Sequence, residues 1–245
     1  MARALRALSA TYVERRHKLA EGAALASAGK RAAFALFYAP LHFLLIDHIV
    51  RRLPGATGGL STVTDLGCGT GASGAAWAAA CARPPRVVGI DRNTWALGEA
   101  AATYRAFELG SQTRKAEAHH FMTAGRPPSG GPEGRLKPAA PGHEMSRDAT
   151  LAAFTVNELP EASRDALLPR LLDGRTRGGR ILVVEPIAGG VARWWSGWRR
   201  EFEQVGGRAD EWRFRAELPP IVTKLDRAAG LDHRELTARS LWIGE

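Results

Sequence analysis

Residues 62–71 combine a short β-branched segment with a carboxylate and a glycine-rich turn. Asp65 lies two residues before Gly67, and Gly67, Gly69 and Gly71 alternate with other residues just before an alanine-rich segment. A strand that leads through a glycine turn into a helix exposes backbone N–H groups at the start of the helix, where they bind a phosphate or a carboxylate. The sequence therefore predicts a site for a nucleotide-like cofactor at this turn.

The identity of the cofactor depends on Asp65. The spacing Gly67-x-Gly69-x-x-Ala72 also satisfies a dinucleotide-binding fingerprint, which is weak support when it stands alone. A carboxylate beside the turn repels a pyrophosphate but attracts the amine and sulfonium cations of S-adenosylmethionine. The pattern acid-x-Gly-x-Gly-x-Gly resembles the signature of class I S-adenosylmethionine-dependent methyltransferases. The resemblance implies an α/β fold with a Rossmann-like, doubly wound, mostly parallel sheet, S-adenosylmethionine as cofactor, and methyl transfer as the activity.

A second acid lies where a ribose-binding residue is expected. The β-branched segment 86–90 is predicted as the next strand and is followed by Asp91, 20 residues after Gly71. An acid at this distance from a glycine turn binds ribose hydroxyls in such folds. Either acid could instead have a local role, Asp65 as a helix cap and Asp91 at the start of a turn. The predicted cofactor-binding residues are Asp65, Gly67, Cys68, Gly69, Gly71, Asp91, Arg92, His120 and Asn157.

The fourth predicted strand, residues 149–156, is followed by Asn157-Glu-Leu-Pro160. Ligands of open α/β sheets bind at this end of the strands. In many DNA and RNA amino-methyltransferases the position holds an Asn- or Asp-Pro-Pro-aromatic motif. The tetrapeptide differs from that motif, so methylation of an adenine or cytosine amine is not supported.

The predicted catalytic residues are Asn157 and Glu158, with Glu158 as the base if the acceptor must lose a proton. The next candidates for the base are Glu185, His119 and His120. The alternative for Glu158 is a structural interaction with the dipole of a helix predicted at residues 161–173.

Two later segments resemble a smaller family of the same superfamily. They are Val156-Asn-Glu-Leu-Pro-Glu-Ala-Ser-Arg164 and Gly178-Gly-Arg-Ile-Leu-Val-Val-Glu-Pro186, which are similar to segments of the small-ribosomal-subunit methyltransferase-like proteins. The resemblance covers residues 35–190 and implies a role in assembly of the small ribosomal subunit. Some members bind an iron–sulfur cluster through cysteines that this chain lacks, so no such cluster is expected.

Basic residues are concentrated before the predicted cofactor-binding domain. Residues 1–56 contain nine basic and three acidic residues, a net charge of +6 out of +9 for the chain. Three clusters contribute most of this charge, at residues 15–18, 30–31 and 51–52. Clustered basic residues bind nucleic-acid phosphates, although a solvated helix surface can have the same composition.

Three functions agree with these features. The first is a methyltransferase acting on RNA, with ribosomal RNA favoured and the basic N-terminal region as the RNA-binding surface. The second is a small-molecule methyltransferase in which the N-terminal helices form a lid. The third is a cofactor-binding but non-catalytic assembly factor for the small ribosomal subunit.

The predicted organisation is a helical N-terminal extension or lid at residues 1–56 and a Rossmann-like domain at residues 57–245. Pro40 is expected to interrupt a helix over residues 31–53. A Pro- and Gly-rich segment at about 123–147 is predicted as a flexible loop. A weaker third strand is expected near residues 115–120, and the alternating segment 234–244 is long enough for one strand near the C-terminus.

Composition limits the remaining classes. Cys68 and Cys81 form no C-x-x-C pattern, so no metal site is expected, and free cysteines are typical of the cytoplasm. The apolar stretch 34–50 is interrupted by polar residues, so no membrane span is expected. Trp194 and Trp198 alternate with arginines in a pattern that could stack nucleic-acid bases, but their helical spacing favours packing on the sheet.

Overall fold

The computed structural model describes residues 1–13, 25–120, 147–176, 178–187 and 192–244. The basic cluster at residues 15–18 and the predicted loop at 123–147, apart from Arg147, lie outside the described residues.

One sheet of seven strands organises the described chain, in the order β3-β2-β1-β4-β5-β7-β6. The strands are β1 (Thr62–Leu66), β2 (Arg86–Asp91), β3 (Ser111–Lys115), β4 (Asp148–Ala153), β5 (Arg180–Glu185), β6 (Arg208–Arg215) and β7 (Glu235–Ile243). The first five are parallel, while β7 runs antiparallel to both β5 and β6. The predicted α/β fold with a mostly parallel sheet is confirmed.

Helices cover both faces of this sheet, as crossover connections between parallel strands require. They are α1 (Ala2–Val13), α2 (Ala28–Ala33), α3 (Ala39–Val50), α4 (Ala72–Ala80), α5 (Thr94–Ala106), α6 (Glu161–Thr176), α7 (Trp195–Gln204) and α8 (Pro220–Ala229). A π-helical segment, Phe34–Tyr38, joins α2 to α3.

Two strand predictions were wrong. The third strand was expected near residues 115–120 but occupies Ser111–Lys115, where mostly exposed, polar side chains hide the strand pattern. The C-terminal region contains two strands rather than one, because Arg208–Arg215 pairs along its whole length with β7. Its alternation of charged and aromatic residues leaves one face partly covered and the other in water, as in an edge strand.

The expected interruption at Pro40 takes the form of a π-helical turn. Proline has no backbone N–H, and immediately before it the N–H of Ala39 donates to the carbonyl of Phe34 instead of to the usual acceptor one residue later. The helix therefore continues over residues 28–50, a run of 23 residues that is long and apolar enough to cross a membrane. Half of its most apolar window is buried within the described fold, which is how a core helix packs.

The N-terminal helices belong to the same core as the sheet. Leu8 of α1, Phe37 and Ile46 are fully buried in one apolar cluster with Trp77 of α4 and Trp242 of β7. The boundary at residue 56 stays a prediction.

The tryptophans of α7 lie on the opposite face of the sheet. Trp198 is 4% exposed and belongs to the apolar cluster on this face of the sheet. Trp194 packs against that cluster. Trp195 stacks on the guanidinium of Arg239 at 4.1 Å. These contacts are those of core residues.

Candidate functional site

A cavity of about 630 Å³ lies at the carboxyl edge of the parallel strands, in part beneath the N-terminal helices. The glycine turn after β1, Asp91 at the end of β2 and the segment after β4 form its floor. Because β7 is antiparallel, its first residues also reach this edge, and Glu235 to Thr237 line the cavity. The topology thus brings together segments that are far apart in the sequence.

The turn after β1 requires glycine for two separate reasons. Gly67, Gly69 and Gly71 have φ values of 64°, 51° and 80°, in the left-handed region where a side chain is strained. At Gly67 a Cβ atom would also overlap the hydroxyl and methyl groups of Thr155. The Thr155 hydroxyl donates to the carbonyl of Leu66 at 2.9 Å, so it cannot move away without losing that bond.

Asp65 lies behind the turn and does not line the cavity. It is 1% exposed, and its Oδ2 accepts a hydrogen bond of 2.9 Å from the N–H of Gly74 in the first turn of α4. Burial, with a smaller contribution from Asp91, raises the pKa of Asp65 to about 7. A ligand in the cavity would therefore meet the charge of Asp65 only through the turn. Gly71, which precedes α4, is likewise outside the lining.

Asp91 faces the cavity directly. Its Oδ2 accepts from the N–H of Gly69 at 3.0 Å and its Oδ1 from the N–H of Asn93 at 2.7 Å. A carboxylate has about four lone-pair positions, so acceptor capacity remains for a diol. Burial raises the pKa of Asp91. The hydrogen bond to Gly69 therefore fixes the position of the Asp91 carboxylate, which faces the cavity, relative to the glycine turn.

The remaining predicted cofactor residues are not all at the cavity. Cys68 and Arg92 line it, and Cys68 is bonded to β2 through its N–H, which donates to Ile90 at 3.0 Å. His120 is exposed and lies outside the lining, whereas its neighbour His119 is part of it. Of the two adjacent histidines, it is therefore His119 and not the predicted His120 that lines the cavity.

Asn157 lines the cavity, but its polar atoms are held inside the protein. Its backbone N–H and its Nδ2 donate to Glu185 Oε1 and Oε2 at 3.1 and 2.8 Å. Its Oδ1 accepts from Trp194 Nε1 at 2.9 Å. The amide is therefore fixed between β5 and the start of α7, which favours a structural role over the predicted catalytic one. Glu158 lines the cavity from a single 3₁₀ turn.

An aromatic wall forms one side of the cavity, next to the turn. The imidazole of His42 stacks on Phe154 with ring centroids 4.0 Å apart and meets Phe34 edge-on at 5.9 Å. Burial lowers the pKa of His42 to about 3, so this ring is neutral at physiological pH. Tyr38 completes the wall. In the sequence His42 is marked only as one of the polar residues that interrupt the apolar stretch 34–50, so residue type and spacing gave no reason to place it at a site.

A second histidine missed by the sequence analysis is His233, in the loop before β7. It lines the cavity, and its Nδ1 is 2.6 Å from Asp226 Oδ1 on α8. No local motif marks this pair, because its members are seven positions apart in the sequence and the end of α8 lies between them.

The cavity carries an excess of negative charge. Its described lining contains five carboxylates, Asp91, Glu117, Glu158, Glu185 and Glu235, and a single guanidinium, that of Arg92. Such a lining favours a cationic or neutral ligand over a polyanion.

No protein-family model matches the chain, and no curated protein matches it in sequence. Solved structures resemble it in fold. An O-methyltransferase family protein from Burkholderia thailandensis is 14% identical with a TM-score of 0.50, over 90% of this chain and 61% of that one.

Two further structures have slightly lower TM-scores. Magnesium protoporphyrin IX methyltransferase from Synechocystis PCC 6803, solved with bound SAH, is 14% identical over 97% of this chain and 98% of that one, with a TM-score of 0.48. The [4+2]-cyclase SpnF is 16% identical over 82% and 80%, also at 0.48. The sheet order and the likeness to the Burkholderia thailandensis structure establish the fold: the chain has a Rossmann-like fold with a seven-stranded, mostly parallel sheet.

Proposed function

We propose that the protein is an S-adenosylmethionine-dependent methyltransferase. The observation that carries the proposal is the Asp91 carboxylate, which lines the cavity while it accepts the N–H of Gly69 from the glycine turn. In this arrangement Asp91 would accept from the ribose hydroxyls, and the turn would allow the backbone to approach the methionine moiety. The bound cofactor supplies an electrophilic methyl group on a sulfonium.

The charge of the lining supports this cofactor over a dinucleotide. Five carboxylates would repel a pyrophosphate, and a single guanidinium would not compensate for them. A sulfonium and an amine are attracted instead. Asp65 adds to this field from behind the turn, and a cation nearby would favour its ionised form.

We propose a small molecule as the methyl acceptor. The ring of Phe34 lies 3.3 Å from the position that a Cβ atom on Gly69 would occupy, so the N-terminal helix rests on the turn itself. Tyr38, His42 and Phe154 give the cavity a largely aromatic side. An acidic cavity with an aromatic side suits a small uncharged acceptor better than a phosphate backbone.

RNA remains the second candidate acceptor, because the N-terminal region has a net charge of +6. Several of its described basic residues have local partners. The guanidinium of Arg31 lies over Trp95 at 5.6 Å, and that of Arg51 pairs with Asp47 at 2.8 Å. An RNA substrate would have to bind through the other basic residues.

Incubation of the full chain with methyl-labelled S-adenosylmethionine, against total cell RNA in one arm and a metabolite extract in the other, tests the proposal. We expect label in the metabolite fraction and its loss in Asp91→Asn. Label in RNA, together with salt-sensitive RNA binding, would establish the second candidate. Cofactor binding by calorimetry with label in neither fraction would indicate a non-catalytic binding protein and would overturn the proposed activity.

A further inference from the structure

We infer that His233, held by Asp226, is the general base for methyl transfer to a neutral aromatic hydroxyl. The inference rests on the proposed function, and it assigns to that site an acceptor class and a catalytic residue. It replaces Glu158, the base predicted from the sequence.

The geometry of the pair fixes the imidazole. Asp226 is 7% exposed on α8, and its two carboxylate oxygens accept from both parts of His233: Oδ2 from the backbone N–H at 3.0 Å and Oδ1 from Nδ1 at 2.6 Å. The ring also packs edge-on against Phe37 with centroids 5.2 Å apart. With Nδ1 donating to a carboxylate, Nε2 is the nitrogen that carries the lone pair.

Nε2 is placed to meet a ligand. His233 lines the cavity and its side chain is 30% exposed, while the described structure gives Nε2 no hydrogen-bond partner. The loop of His233 reaches the cavity because β7 is antiparallel and starts at the carboxyl edge of β5. In the sheet β7 lies two strands beyond β4, about 10 Å away, on the side opposite Asp91. The histidine therefore approaches the cavity from the opposite side of the sheet's centre to Asp91.

The surrounding side chains define the acceptor. Tyr38, His42, Phe154 and Leu236 line the cavity together with His233, and burial keeps the imidazole of His42 neutral. A flat, uncharged ring fits such a wall. A hydroxyl on that ring is a weak nucleophile until its proton leaves, which is the step that a histidine base assists.

The proposed step balances in protons and electrons. The hydroxyl oxygen forms its bond to the methyl carbon as the carbon–sulfur bond breaks, and that bonding pair stays on the sulfur, which becomes neutral. The hydroxyl proton passes to Nε2 of His233, and the Asp226 carboxylate stabilises the imidazolium until the proton leaves to solvent. His233 is thus the catalytic residue and Asp226 a positioning residue.

Other charged groups near His233 do not replace Asp226. Glu235, two residues later, lines the cavity, and Tyr38 has its pKa raised by burial and by Asp226. Asp232 and Arg234 pair with each other at the surface. Asp232→Asn is therefore a matched control for Asp226→Asn, since it removes a neighbouring carboxylate that does not contact the imidazole.

The first test needs no turnover. Full-length protein with ¹⁵N-labelled histidine is examined by NMR at neutral pH, and His233 is assigned by its absence in His233→Gln. We expect a proton on Nδ1, a change in the Nδ1 signal in Asp226→Asn that is much larger than in Asp232→Asn, and a shift of the Nε2 signal when 2-naphthol is added with S-adenosylhomocysteine. An Nε2 signal that 2-naphthol leaves unchanged would contradict the inference.

The second test compares acceptors at pH 8, where 2-naphthol is largely un-ionised and 4-nitrophenol largely ionised. His233→Gln should lower kcat for 2-naphthol about 100-fold with a small change in KM, and should affect 4-nitrophenol much less, because that acceptor needs no base. Equal losses for both acceptors, or no methylation of either by wild type while calorimetry shows cofactor binding, would overturn the inference. Absence of cofactor binding would instead overturn the proposed function.

Discussion

The carboxylate of Asp91 accepts a hydrogen bond of 3.0 Å from the backbone N–H of Gly69, which joins the end of β2 to the turn after β1. Two segments that the sequence marks separately are thereby held as one rigid unit at the edge of the sheet. The position of Asp91, and so of any ligand that hydrogen-bonds to it, depends on the conformation of the turn. A substitution at Asp91 or at Gly69 should therefore affect cofactor binding.

Asp91→Asn tests this unit. The substitution replaces one acceptor oxygen with an NH₂ group, which would face a backbone N–H of either Gly69 or Asn93. Loss of a charged hydrogen bond costs about 1.5–3 kcal/mol, so we expect the Kd for S-adenosylmethionine to rise roughly tenfold to hundredfold by calorimetry. Glu203→Gln, in an exposed pair with Arg199, is the control. Unchanged affinity in Asp91→Asn would exclude the ribose-binding role.

Gly67→Ala should damage both stability and binding. A left-handed φ of 64° costs a non-glycine residue about 1–2 kcal/mol, and the added methyl group overlaps Thr155. We expect the free energy of unfolding, measured in urea, to fall by about 2–4 kcal/mol. Gly98→Ala in α5 is the matched control, because nothing lies within 4 Å of its Cβ position and alanine favours a helix by up to about 1 kcal/mol. A stable Gly67→Ala protein would show that the turn can rearrange.

The glycine turn and Asp91 could be predicted as neighbours at one edge of the sheet because their signals are local. The segment from Asp65 to Gly71 contains the end of a strand, the acid and the glycine turn within a few residues. Asp91 follows Gly71 by 20 residues in the sequence, the spacing expected for a ribose-binding acid. These features depend on backbone conformation, which short-range sequence patterns report well.

The other side of the site depends on contacts between distant segments. His233 reaches the cavity only because β7 is antiparallel, and nothing in its own neighbourhood indicates a cavity. Asn157 was placed correctly at the end of β4, but its partners Glu185 and Trp194 come from later elements. The chemistry of such residues is set by the partners, so residue type and spacing could not distinguish a catalytic amide from a structural one.

Phe34 should contribute to cofactor affinity through the turn. Its ring lies against Gly69 and also contacts His42, so removing it would leave one side of the cavity open to water. We expect Phe34→Ala to raise the Kd for S-adenosylmethionine about tenfold, since burial of an aromatic ring contributes roughly 1.5–3 kcal/mol. Leu36→Ala, in the same π-helical segment but 48% exposed, should leave the Kd unchanged. Equal effects of the two substitutions would indicate a general loss of the helix rather than a contact with the site.

Asp65 should make the stability of the cofactor-free protein fall as the pH rises. Its pKa is about 7 in the fold and near 3.8 when unfolded, so the folded state binds the extra proton between these values. By linkage, the contribution of Asp65 to the free energy of unfolding is highest below about pH 4 and decreases until the pH exceeds about 7.

The variant Asp65→Asn removes this titration while it keeps an oxygen for the N–H of Gly74. Its stability relative to wild type should increase by about 2–3 kcal/mol between pH 5 and pH 8, measured by urea unfolding at each pH. Asp47→Asn, in a surface pair with Arg51, should show no such trend. Saturating S-adenosylmethionine should reduce the difference for Asp65→Asn, because a cation near the turn stabilises the ionised carboxylate in wild type. A pH-independent difference would mean that Asp65 is ionised throughout this range and that its burial is compensated by the backbone.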